Sequence, residues 1–333
     1  MRRLLFITAI ASLLLGIASA QVSSDAVFKL RVMAWNVENL FDTVHDEGFG
    51  DEAFLPQGQY QWTSSRYWRK LDEIAKVIAA VAEEGGIPDL IGLCEVENDS
   101  VLTMLTHRSA LRGLGYNYVM TQCADARGID VALLYHPMRF RLLTSQSFRV
   151  PSREQGLRPT RDILYAKGLT LVSDGSNDSL YVDTLHVLVT HLPSRVGGYA
   201  GDMNRKLAAT TLKNVVDSLM ACTTTSKGAS PRIVVMGDFN AGANDRIFKH
   251  IPLQVTDDHK ALGTYCFRGI WQWLDHILIS PSVRSARPAW PVRLPWLLET
   301  DKSYGGEMPR RTYRGPAYHG GISDHLPVVI DLQ

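Results

Sequence analysis

The chain has 333 residues, 45% of them hydrophobic and 21% charged, with a net charge of +1. That length and apolar content suffice for one large or two small globular domains with a sizeable core. The near-zero charge argues against a protein that coats duplex nucleic acid by counterion release, but not against an enzyme that holds a phosphodiester briefly with a metal ion supplying positive charge.

Arg2 and Arg3 precede an apolar run from Leu4 to Ile17 and then Ala18-Ser19-Ala20, an A-x-A cleavage pattern. The run is shorter than the roughly 20 residues that span a bilayer. Residues 1–20 therefore read as a signal peptide, with no stable membrane anchor. The mature chain is expected to begin near Gln21 and to be exported, to the periplasm or the medium. No pair among Cys94, Cys123, Cys222 and Cys266 has C-x-x-C spacing, which argues against a zinc site. Export permits disulfides, and a Cys222–Cys266 bond is left open.

In chain order, Val27 to Val37 reads as a strand that ends among Asn36, Glu38 and Asn39. Asp42 to Gln61, rich in Gly and acids, reads as a loop. Arg66 to Glu84 is an amphipathic helix with Leu71, Ile74, Ala75, Ile78, Val81 and Ala82 on one face, stopped by Gly85-Gly86. Asp89 to Val96 is a strand that brings Glu95, and a helix is expected over Val101 to Leu111. Asp130 to Tyr135 and Arg141 to Val150 read as strands, with a basic loop from Arg153 to Asp162. Ala166 to Val172 and Leu180 to Leu192 should form a hairpin whose second strand ends in Thr190-His191. A second amphipathic helix covers Met203 to Met220. The stretch Arg232 to Asn240 reads as a buried strand delivering Gly237, Asp238 and Asn240 together at its end. Trp273 to Ile279 carries Asp275. Residues 281–320 show little periodicity, and Leu326 to Leu332 is a last strand behind Ser323-Asp324-His325. Hairpins mixed with helix crossovers predict an α/β fold with mixed sheets in a single domain over residues 21–333.

Polar groups thus gather at strand ends: Asn36, Glu38, Glu95, Asp130, His191, Asp238, Asn240, Asp275, Asp324 and His325. Hard oxygen donors suit Mg²⁺, with Mn²⁺ or Ca²⁺ as alternatives, and imidazoles suit proton transfer near neutral pH. There is no G-x-S-x-G elbow and no P-loop. The composition points to metal-assisted attack of water on a phosphoester.

Trp35-Asn36-Val37-Glu38-Asn39-Leu40, Cys94-Glu95-Val96-Glu97-Asn98, Thr190-His191-Leu192, Gly237-Asp238-Phe239-Asn240, Trp273-Leu274-Asp275-His276 and Ser323-Asp324-His325-Leu326-Pro327 occur in that order. In this the chain resembles the endonuclease/exonuclease/phosphatase superfamily, over roughly residues 30–332. That group includes pancreatic-type deoxyribonucleases, abasic-site endonucleases, neutral sphingomyelinases and inositol polyphosphate 5-phosphatases. The resemblance implies a four-layer α/β sandwich of two packed mixed β-sheets flanked by helices, with the site at one edge. It implies that Glu95, with Asn36, and Asp324 hold the metal. Asp238 would activate water, with Asn240 on a phosphate oxygen. His325, oriented by Asp275, would contact the scissile phosphate, and His191 would act on the leaving-group side. Asp130 is the expected orienting partner of His191. Arg127 and Arg161, in or beside loops near the site, are candidates to clamp phosphates. Trp290 and Trp296 are candidates to line a substrate groove by stacking.

The motifs depart from two branches. Glu38 stands where abasic-site endonucleases place Asp, and those enzymes lack a counterpart of His191. Ala241-Gly242 follow the G-D-x-N of this chain, unlike the 5-phosphatases. The expected activity is a monomeric, metal-dependent phosphodiesterase acting on nucleic acid. The alternative is a sphingomyelinase-like enzyme on phospholipid, which would need an exposed apolar docking surface; Pro291 to Leu298 is the one strongly hydrophobic loop that offers it.

Overall fold

A computed structural model describes residues 29–83, 86–123, 125–173, 180–194, 198–222 and 230–333. The leader expected over residues 1–20 lies outside the described residues. The first half of the chain forms β1 (Leu30–Leu40), α1 (Ser64–Glu83), β2 (Leu90–Val96), α2 (Asp99–His107), β3 (Asn117–Met120), β4 (Asp130–Tyr135), β5 (Arg141–Phe148) and β6 (Ile163–Ser173). Then come β7 (Leu180–His191), α3 (Gly198–Ala221), β8 (Arg232–Asp238), β9 (Gln254–Val255), β10 (Tyr265–Phe267), β11 (Ile270–Gln272) and β12 (Asp275–Ile279). The last segments are β13 (Trp290–Pro291), β14 (Leu298–Thr300), β15 (Glu307–Pro309), β16 (Tyr313–Arg314), β17 (Ala317–Tyr318) and β18 (Val328–Leu332).

Two six-stranded sheets result, in the orders β13-β18-β1-β2-β4-β3 and β5-β6-β7-β8-β12-β9. Both are mixed: β1–β2 and β7–β8 are parallel, and β1–β18 and β8–β12 are antiparallel. Alternation along the strands makes three apolar layers. Val32 and Ala34 of β1 face inward with Val131, Val187, Val234 and Ile277 between the sheets. Met33 and Trp35 face outward onto Leu71, Ile74 and Ile78 of α1 and Leu102 and Leu105 of α2. On the far side Leu188, Ile233 and Val235 pack on Ala208, Leu212 and Val216 of α3. The expected four-layer sandwich is what forms. The sheets touch so closely that a Cβ at Gly92 would lie 2.6 Å from the Met236 sulfur.

Several local readings change. Trp290 and Trp296 pack on the outer apolar layer, beside Arg287 and Lys76, instead of lining a groove. In Pro291 to Leu298, Pro291, Val292 and Leu297 are buried, Leu294, Trp296 and Leu298 are partly buried and Pro295 is exposed, so much of this loop packs on the outer apolar layer. Strand β3 and the ribbons β14–β15 and β16–β17 were not legible, being two to four residues long with no period to read. Cys94, Cys123 and Cys266 are buried free thiols, so the Cys222–Cys266 bond is not formed. No described helix is long and apolar enough to cross a membrane.

Candidate active site

Sheet register sets the site. In the second sheet His191 lies beside Asp238 and Asp238 beside Asp275, one residue from each of three neighbouring strands, β7, β8 and β12. From the first sheet, irregularities aim side chains at the same place. Pairing of β2 with β4 skips a residue between Cys94 and Val96, leaving Glu95 bulged at φ 64°. Pairing of β1 with β2 breaks between Asn36 and Leu40, where Glu38 and Asn39 both have φ 51°. Bulges re-aim side chains, and left-handed non-glycine residues store strain that surrounding structure must hold. Gly237 has φ 137°, and a Cβ there would lie 1.9 Å from the Thr190 carbonyl, so only glycine lets β8 run this close to β7.

Asp238 is the hub. Asn36 Nδ2 donates to its Oδ2 at 3.1 Å, and Asn240 donates its N–H to Oδ1 at 2.8 Å and its Nδ2 to Oδ2 at 3.3 Å. Strand parity does not place Asn240, because β8 ends at Asp238; an Asx turn does, with Asn240 at φ 49°. The His191 Nε2 stands 3.5 Å and the His325 Nε2 3.9 Å from Asp238 Oδ2. His325 Nδ1 bonds Asp275 Oδ2 at 2.7 Å, and Thr264 donates its hydroxyl to the same oxygen at 2.6 Å. Ser323 fixes the last loop: its Oγ donates to the Asn36 carbonyl at 2.6 Å and accepts the His325 N–H at 3.0 Å.

Asn36, His191, Asp238, Asn240 and His325 line a cleft of about 970 Å³ together with Glu38, Glu95, Arg127, Arg158, Arg161, Tyr265, Arg311 and Asp324. Burial raises the Asp238 carboxyl to about 7, with Asp275 adding to the rise and His325 opposing it. Burial works against charge on His325, but Asp275 and Asp238 overcome it and hold its pKa well above the ordinary value. Burial, with Arg161 and Arg127, pushes His191 well below, so that imidazole is neutral. Burial and Asp324 raise Glu38 to about 7.

A divalent cation fits this chemistry. Glu95 Oε2 accepts the Asn39 N–H at 2.9 Å, and Oε1 lies 3.9 Å from Arg127 Nη1 and 3.9 Å from His191 Nε2. Glu95, Asp324 and Asn36 give hard oxygen donors to the cleft, and the raised Asp238 and Glu38 mark negative charge that a cation would compensate. Asp238, Asp275 and His325 also offer ligand atoms within 4.8 Å of one another. The 2.7 Å bond between Asp275 and His325 makes that trio a proton-handling network first.

Two expectations need correction. Asp130 does not meet His191: its carboxylate takes the Thr121 hydroxyl at 2.5 Å and the Cys123 N–H at 3.1 Å, and it belongs to the other sheet. His191 Nδ1 is buried without a hydrogen-bond partner among the described residues. Arg161 lines the cleft but its guanidinium is committed, donating to Asp125 at 3.0 Å and to the His191 and Leu192 carbonyls at 3.2 and 3.0 Å. It braces the strand end. Arg127 is half exposed and within 4 Å of Glu95. Arg161→Ala should therefore lower stability by about 3–5 kcal/mol by stranding Asp125, while Arg127→Ala raises KM with unfolding unchanged. Thermal melts and Michaelis plots on both variants check this; equal melts would refute the distinction.

Sequence reasoning missed Arg311 and Lys70. Arg311 pairs with Asp324 and lies 3.6 Å from Glu38. Lys70 is buried, donating to the Glu38 carbonyl and to Thr312 Oγ1 at 2.9 Å. Burial lowers it to about 8. A signal existed for Lys70, which adjoins the inward face of Leu71 and Ile74. Arg311 sits in the stretch without periodicity, where no signal marks it.

An acid–imidazole network under an open, arginine-lined cleft at the edge of a two-sheet sandwich defines a phosphoester hydrolase. The chain belongs to the Endonuclease/Exonuclease/phosphatase family, whose profile matches residues 31–333. Comparison with curated proteins returns no match. Among solved structures, the human Nocturnin catalytic domain with bound sulfate is similar at TM-score 0.52 and 20% identity, covering 92% of this chain and 94% of that one. The Bacteroides thetaiotaomicron mannosyl-6-phosphatase Bt3783 is similar at 0.55 and 16%, covering 91% and 99%. D. rerio TDP2 complexed with single strand DNA product is similar at 0.52 and 14%, covering 92% and 99%. At these identities the likeness is one of fold.

Proposed function

We propose that the chain is an exported, divalent-metal-dependent phosphodiesterase, and specifically a nuclease. The observation that carries this is the cleft: Asp238 and His325 line it, His325 is bonded from behind to buried Asp275, and Arg127, Arg158 and Arg311 line it too. The cleft has a volume of about 970 Å³. The similar TDP2 structure holds single-strand DNA product, which supports the choice of nucleic acid. The loop on which the lipid alternative relied is partly packed on the outer apolar layer, which favours the nucleic-acid reading.

Glu95, Asn36 and Asp324 would hold Mg²⁺, which when bound neutralises charge on the phosphate. Asp238 takes a proton from the attacking water; near pKa 7 it is an effective base at neutral pH. Asn36 and Asn240 fix that carboxylate. The water oxygen bonds phosphorus, the bond to the leaving oxygen breaks, and His325 gives that oxygen a proton. Asp275 holds His325 charged and in place. Neutral His191 donates a hydrogen bond to a phosphoryl oxygen.

Plasmid DNA and sphingomyelin vesicles, each with Mg²⁺ or EDTA, test the reading. Metal-dependent nicking of the plasmid is expected. Intact plasmid with released phosphocholine would move the protein to lipid. The mass of the recovered chain tests export: a start at Gln21 supports it and an intact Met1 overturns it.

A further inference from the structure

A second cavity, of about 220 Å³, adjoins the catalytic cleft. Glu38, Asn39 and Arg311 line both, so the two share a wall. The rest of its lining differs in kind: Phe54, Tyr60 and Tyr313, with Thr312 and Gly315. The rings form a continuous cluster in which only the Phe41–Phe54 pair is parallel, Tyr60 being tilted 39° to Phe54 and 50° to Tyr313. Phe41 and Phe54 lie parallel at 4.2 Å, Phe54 meets Tyr60 at 4.8 Å, and Tyr60 meets Tyr313 at 4.7 Å. Buried Phe41 backs Phe54, and Tyr313 is buried, whereas Phe54 and Tyr60 are partly open. Gly315, with no atom within 4 Å of where a Cβ would stand, leaves the mouth open.

A guanidinium on the shared wall beside a partly open aromatic stack matches what a nucleotide presents, a phosphate joined to a flat ring. We infer that this cavity is a nucleobase subsite, which takes the base of a nucleotide next to the scissile phosphate and stacks it on Tyr60. The inference rests on the nuclease reading above. It makes single-stranded or locally opened nucleic acid the substrate, because a base paired within a duplex cannot enter. Arg311, paired with Asp324 and beside Glu38, stands on the wall between the subsite and the cleft, and the aromatic cluster is indifferent to base identity.

Tyr60 allows a clean test. Its carbonyl accepts from Arg66 Nη1 at 2.7 Å and from the Tyr313 hydroxyl at 2.9 Å, and both bonds survive loss of the ring. Short single-stranded oligonucleotides carrying one base-free tetrahydrofuran residue, placed at each position in turn, are cleaved with Mg²⁺ by wild type, Tyr60→Ala and Tyr60→Phe. The same oligonucleotides, fluorescently labelled, are bound in EDTA and read by anisotropy. In wild type, one position next to the cleaved bond should lose about tenfold in kcat/KM and in affinity when its base is removed. Tyr60→Ala should lose the same factor on the intact oligonucleotide and nothing more on the base-free one, both assayed well below the variant's melting temperature, which falls because Tyr60 packs between Phe54 and Tyr313. Tyr60→Phe should behave as wild type. An equal base-removal penalty in wild type and Tyr60→Ala, or no sensitive position, overturns the subsite and leaves the nuclease standing. Neither cleavage nor binding of any oligonucleotide overturns the nuclease reading, and the subsite with it.

Discussion

His325→Ala is expected to lower kcat on nucleic acid by about 10³-fold, within the range for loss of a positioned acid. His325 is the one charged proton donor at the floor of the cleft, and its charge is maintained against burial by Asp275 and Asp238. The variant also costs stability. Asp275 is fully buried and keeps only the Thr264 hydroxyl once the imidazole is gone, with its Oδ1 already unpartnered. Removing one member of a buried pair costs about 3–5 kcal/mol, so assays must run well below the lowered melting temperature. Asp275→Asn separates the two effects. It keeps the shape and removes the charge that raises the His325 pKa. The acid form of His325 is then lost at lower pH, so the alkaline limb of the kcat profile moves to lower pH. A near-wild-type kcat in His325→Ala, or an unmoved alkaline limb in Asp275→Asn, would refute the assigned role.

Asp238→Asn is expected to lose about 10³–10⁴-fold in kcat while keeping or gaining stability. The folded state raises this carboxyl from its ordinary value to about 7, first through burial. A raised acid is stable in the fold while protonated. Its cost therefore grows as pH rises above the ordinary carboxylate range and is complete above about 7. Asparagine carries no such cost. Against this, its amide must face donors from Asn36 and Asn240, a penalty of about 1–3 kcal/mol. Melts in EDTA at pH 8 should put the variant level with wild type or above it. At pH 5, where Asp238 is protonated in the fold, the variant should compare less favourably. Activity lost with stability retained is the mark of a group held in an unfavourable state for its chemistry. A strong loss of stability at pH 8 would show Asp238 to be structural.

Much of this site was legible because its parts are local. A short apolar strand that carries or ends in Asn36, Glu95, His191 or Asp238, or that Asp275 opens, is a pattern within a few residues, and strands hold their ends rigidly. The pairing of Asp275 with His325 could be foreseen as well, since a carboxylate inside an apolar strand needs a partner. The order of strands and helices, and the inward faces of α1 and α3, followed from periodicity.

What the sequence by itself determined, then, was the longer strands and helices, the mixed α/β class and the chemical kinds gathered at the strand ends. Only the tertiary structure decided who meets whom. The bulges that turn Glu38, Asn39 and Glu95 into the cleft depend on left-handed backbone that propensity disfavours, and only packed neighbours hold it there. Asp130 turned to Thr121 and Cys123, and Arg161 to Asp125 and two carbonyls, because a buried polar group takes the nearest partner the packing supplies. Lys70, Glu38 and Arg311 meet from residues far apart in the chain. No local pattern records that meeting, since it exists only once the two ends of the chain share one sheet through β1 and β18.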